Sequence, residues 1–134
     1  MSDKLPQNIE VPISPGELID KLAILEIKVE RIADPKSRAN VVRERDALAK
    51  VRDRAVRATP ALSRLAGDLK AVNAALWRIE DELRDCERRG DFGADFIALA
   101  RAVYRTNDRR AALKREINTL LGSELVEEKS YTRY

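Results

Sequence analysis

The chain has 134 residues, with 26 Lys plus Arg against 23 Asp plus Glu, and this formal charge of +3 reads as one domain with no strong pull toward nucleic acid or membrane. Hydrophobic residues make up 44%, enough for a core at this length, while the absence of histidine removes the commonest proton shuttle near neutral pH and the commonest neutral zinc ligand. The single Cys86 excludes an internal disulfide, no apolar run approaches the roughly 20 residues of a membrane helix, and no secretory leader is visible, so the expected setting is cytoplasmic, with no metal or cofactor.

Residues 1 to 8 are polar and contain Pro6, which predicts a loose tail. Ile9 to Ile13 alternate apolar and polar side chains, the pattern of an extended arm, and Pro12 limits that arm to an edge position. Ser14-Pro15-Gly16-Glu17 then forms a helix start. Ser14 can accept from the Glu17 amide, the Glu17 carboxylate can reach back to the Ser14 amide, and Pro15 sits where its missing N–H costs nothing. Leu18, Leu22, Leu25, Val29 and Ile32 mark one face of this first helix, and Ile19, Ile24 and Ile27 widen it, so it is expected to be the most buried.

Asp34-Pro35 opens a second helix, from about Pro35 to Arg57, with a weak apolar face and an excess of basic residues. Thr59-Pro60 starts the third. Leu62, Leu65, Leu69, Val72, Leu76, Ile79, Leu83 and Cys86 recur at alternating spacings of three and four, a coiled-coil seam about 45 Å long at 1.5 Å per residue. Arg88, Arg89 and Gly90 supply its stop. A fourth helix follows from about Phe92 to Leu121, with Phe96, Leu99, Val103, Leu113, Ile117 and Leu120 on one face.

The third and fourth helices are separated by so few residues that they are expected to double back as an antiparallel hairpin. Residues equidistant from the turn then lie level, which sets Arg101 beside Glu80, Tyr104 beside Trp77, and Asn107 near Asn73. The predicted fold is all-α, a single domain spanning 1–134, with four helices bundled around this hairpin. A hairpin of that length exceeds what two shorter helices can cover, so a homodimer is expected, with the arm able to cross to a second copy.

One polar layer crosses the hairpin: Asn73, Trp77, Glu80, Arg101, Tyr104, Asn107, Asp108 and Arg110. Buried polar groups are costly unless paired, so the layer calls for a reason. One reason is register, since a buried amide or ion pair fixes helix packing. The other is a ligand pocket in which Arg101 and Arg110 hold an anion, the asparagines bond a sugar or base, an aromatic ring stacks, and Glu80 or Tyr104 moves a proton. The start of the first helix, with Ser14, Gly16 and Lys21, is a second candidate anion site, although Glu17 is placed to occupy it. Asp91-Phe92-Gly93 is a chance match to a kinase element, Glu80-Asp81-Glu82 point to different helix faces and form a poor metal cage, and the basic second helix lacks the aromatic spacing of a nucleic-acid platform.

Four stretches carry a family resemblance: Val11 to Lys28 (VPISPGELIDKLAILEIK), Asn73 to Asp81, Phe96 to Asn118 with its core Val103 to Arg110 (VYRTNDRR), and Gly122 to Tyr131 (GSELVEEKSY). Together they resemble a small, functionally uncharacterised bacterial protein family. The resemblance implies an association with surface-saccharide synthesis, where related chains accompany glycosyltransferase-type proteins, and it implies no catalytic residue. It also implies that residues 123–134 pack on the bundle. The functional expectation is a non-enzymatic interaction or assembly module, with a binding protein or enzyme for a nucleotide-sugar or other phosphorylated metabolite, using the polar layer between the third and fourth helices, as the alternative.

Overall fold

A computed structural model describes residues 8–128 and 130–134, so all but Asn8 of the expected tail lies outside the described residues. Four helices follow one another: α1 (Pro15–Arg31), α2 (Pro35–Ala55), α3 (Pro60–Arg89) and α4 (Ala94–Leu120). The described residues contain no strand, and the fold is all-α. Three of the four starts use the same device. Ser14, Asp34 and Thr59 each accept a backbone N–H three residues on, at 3.1, 2.9 and 3.1 Å, and proline follows at the first helical position.

The second and fourth helices are shorter than their sequence patterns suggest. α2 stops at Ala55, and Val56 turns away in an extended conformation to pack on the core. α4 begins at Ala94 because the Asp91 carboxylate accepts the Gly93 amide at 3.1 Å, which holds residues 91 to 93 in a turn. Two helices end on glycine. Gly90 and Gly122 both adopt φ near +66°, and the next amides, of Asp91 and Ser123, close on the Cys86 and Asn118 carbonyls at 2.9 Å.

The core joins three helices: Ile19 of α1, Leu62, Leu65, Leu69 and Val72 of α3, and Leu113 and Ile117 of α4. Leu69 and Ile117 are completely buried. α1 therefore lies across the base of the α3–α4 pair, and its burial follows from apolar residues around most of its circumference. Among the described residues the α2 helix packs on α1 alone and buries no residue of its own. Its basic composition leaves no apolar face broad enough to enter the core.

Residues 9 to 13, expected as an extended arm, adopt no regular structure, and Ile9 and Val11 retain 87% and 65% of their accessible surface.

Candidate functional site

The centre of the molecule is an acid. Asp20 of α1 is fully buried and takes three hydrogen bonds from the other two core helices. Arg110 of α4 donates through Nε to Oδ1 at 2.9 Å and through a second guanidinium nitrogen to Oδ2. Asn73 of α3 donates to Oδ1 at 2.8 Å, and the same amide group also donates to the Leu69 carbonyl at 3.1 Å. The two-pronged contact is the geometry in which guanidinium and carboxylate fit best. The Asp20 hydrogen bond holds the Arg110 pKa above its ordinary value against the opposing effect of burial.

A second set of contacts lies one helical turn away, toward the start of α1. Lys114 is nearly buried and pairs with Glu17 at 2.7 Å and with Glu127 of the C-terminal segment at 3.2 Å. Burial pushes the Lys114 ammonium down, and hydrogen bonds to Glu17 and Glu127 more than reverse this, so its pKa is raised. Gly16 donates its amide to Asn118 Oδ1 at 2.7 Å. A β-carbon at Gly16 would stand 2.5 Å from the Lys114 carbonyl oxygen, so α1 and α4 approach so closely that only glycine fits. Asn118 Nδ2 is buried with no hydrogen-bond partner among the described residues.

These contacts revise the reading of the helix start. The Gly16 amide is taken by Asn118 and the Glu17 amide by Ser14, so the donors that would hold an anion are engaged. Glu17 turns to Lys114 instead of closing back on the Ser14 amide. Lys21 is exposed and reaches Glu17 only at 4.0 Å. Glu26 and Glu30 pair with Lys70 of α3, at 3.5 and 2.8 Å.

The polar layer divides in two. Asn73 and Arg110 point inward and meet on Asp20, whereas Tyr104, Asn107 and Asp108 line a cleft against the C-terminal residues Tyr131 and Tyr134. Trp77 is half-buried, and Glu80 and Arg101 are exposed with no ion pair between them among the described residues. Arg101 and Arg110 do not converge as an anion clamp. They lie nine residues apart, roughly 13 Å along the helix at 1.5 Å per residue, with Arg110 committed to Asp20.

Asp20, Lys114, Asn118 and Glu127 were not singled out by their sequence pattern. Asp20 carried one usable signal, an acid between Ile19 and Leu22 on a helix expected to be buried nearly all round. What the arrangement does chemically is hold three helices together. Asp20 is sealed from solvent and already bonded, so it is unsuited to proton exchange with a substrate. Among the described residues no group of three His, Cys, Asp or Glu side chains is placed to hold a metal.

Residues 9–134 match the model of a family of unknown function, DUF6165. The chain belongs to this family. No curated protein matches it. No solved structure matches it. For this DUF6165 member, evidence of function therefore comes from its own surfaces. No helix among the described residues is long and apolar enough to cross a membrane.

Proposed function

We propose that the chain is a non-enzymatic helical assembly module whose α3–α4 projection pairs with a second copy. The observation that carries this reading is the change in burial along the hairpin. Between Asn73 and Arg110 only Ile79 and Cys86 are buried. Leu76, Trp77, Leu83, Phe96, Leu99 and Val103 are half-covered, and Phe92 and Ile97 keep 53% and 55% of their surface. Two helices alone seal one seam and leave both flanks open, and four helices close such a structure.

Charge is compatible with a second copy as the occupant. Along this stretch α3 exposes Arg78, Arg84, Arg88 and Arg89 beside Glu80, Asp81, Glu82, Asp85 and Glu87, and α4 exposes Asp95 beside Arg101 and Arg105. The flanks carry both signs, so each copy offers the other opposite charges at the rim of an apolar seam. The polar residues at the base of the hairpin support the same reading, because Asn73 and Arg110 both spend hydrogen bonds on the buried Asp20. An association with a glycosyltransferase-type protein, implied by family resemblance, would use the surface left outside such a dimer.

Sedimentation equilibrium tests this. The wild type is expected to be dimeric at micromolar concentration and to weaken in high salt. Ile97→Glu, at an exposed helical position, is expected to give a folded monomer. A wild type that stays monomeric throughout, or an Ile97→Glu variant that dimerises equally well, contradicts the proposal.

A further inference from the structure

The chain has three tyrosines, and all three line one cleft of about 620 Å³ between α4 and the C-terminal segment. Tyr104 and Tyr134 stand 5.0 Å apart between ring centroids, tilted by 58°. Their ring pair joins the segment to the helix. The Asp108 carboxylate beside the Tyr134 hydroxyl raises the phenol pKa above its ordinary value. Asn107, Tyr131 and Arg133 complete the wall. The volume falls within the range of small-molecule sites, and the lining combines aromatic faces with a few polar groups able to converge on one ligand.

We infer that this cleft binds a neutral polyhydroxylated ring, a saccharide unit. The chemistry of the wall selects that class. The wall carries both signs, Asp108 and Arg133, with Arg105 beside Tyr134, so no single ligand charge is selected and the class is set by the aromatic faces together with groups that bond hydroxyls. Tyrosine faces accept the C–H face of a pyranose, and planar side chains such as Asn107, Asp108 and Arg133 can each bridge two neighbouring hydroxyls, the carboxylate as acceptor, the guanidinium as donor and the amide as both. The Tyr104 and Tyr134 rings are too close to admit a flat aromatic base between them, so the ligand sits on the rings and not between them.

This inference is independent of the assembly reading, because binding and oligomeric state are measured separately. The probes are methyl glucoside, methyl galactoside and methyl N-acetylglucosaminide for a free unit, and maltotriose and chitotriose for a unit within a chain. Inorganic phosphate and choline serve as charged controls. Protein-observed NMR titration of the full chain is expected to give saturable shifts at α4 residues 103 to 108 with at least one sugar. Tyr104→Ala and Asp108→Ala should each weaken binding about tenfold, the loss expected for one stacking contact or one hydrogen bond to a charged group. Tyr104 and Asp108 are exposed, so both variants should keep the wild-type Tm. Tighter binding of the trisaccharides than of the methyl glycosides identifies a glycan chain as the source, and equal binding identifies the free unit. No saturable shift with any sugar overturns the inference. So does phosphate or choline binding in place of sugar, or sugar binding that survives Tyr104→Ala undiminished.

Discussion

Asp20 and Gly16 sit one turn apart on α1 and do opposite jobs: Gly16 lets the backbones of α1 and α4 touch, and Asp20 sets how they align. Replacing Asp20 by Ala leaves the Asn73 amide and the inner face of Arg110 without an acceptor. The cost should be roughly 3 kcal/mol, at the low end for breaking a buried pair because Arg110 retains some solvent contact. Urea denaturation measures it, and a loss below about 1 kcal/mol would mean that the lock contributes little. Gly16→Ala reverses the usual helix rule, under which alanine is favoured over glycine by about 1 kcal/mol. Here the new methyl group meets the Lys114 carbonyl oxygen, a backbone atom that cannot step aside. A destabilisation of about 1–3 kcal/mol is expected in place of a gain.

Lys114 gives a pH signature. Its pKa is higher in the folded protein than in the unfolded chain, so its contribution is fully present below about pH 10.4, the ordinary lysine value, and is lost as pH rises through the folded value. The Tm difference between the wild type and Lys114→Met should therefore shrink at strongly alkaline pH and stay constant from neutrality to pH 9. A difference that grows with pH would contradict the assigned ion pairs.

At the scale of elements, α2 differs from the others. Among the described residues it packs on α1 alone and buries none of its own, so it should open locally without unfolding the remainder. Native-state hydrogen exchange should find the α2 amides exchanging well before those of α1 and the bases of α3 and α4, and equal protection would show that α2 belongs to the same cooperative unit. The element boundaries were largely legible because caps are local chemistry. Ser14, Asp34, Thr59 and Gly90 announce their roles from the chain alone. The start of α4 was misplaced because Asp91 caps a turn, not the helix itself, and side-chain-to-backbone bonds of that kind follow no apolar period.

For the whole molecule, hydrophobic spacing and a short connection set α3 against α4 with Asn73 level with Asn107, whereas the residue that joins Asn73 on Asp20 is Arg110, three positions further along α4. Neither signal could place α1 against them. Which side chain of α1 enters the hairpin depends on tertiary packing, so Asp20 stayed hidden and Arg110 looked free to hold a ligand. The same limit divided the polar layer, because residues level along a hairpin can still face opposite sides of it. Tyr104, Asn107 and Asp108 turn outward to the C-terminal segment, whose contacts no period encodes.

The uncovered half of the hairpin is the feature on which the assembly reading depends, and amide exchange followed as a function of protein concentration tests it most directly. The account predicts that protection of residues 79 to 99 rises with concentration, while residues 62 to 73 and 110 to 118, held by α1, are protected already in the dilute chain. Distal protection that is independent of concentration would show that the two-helix projection stands alone, and would contradict the account.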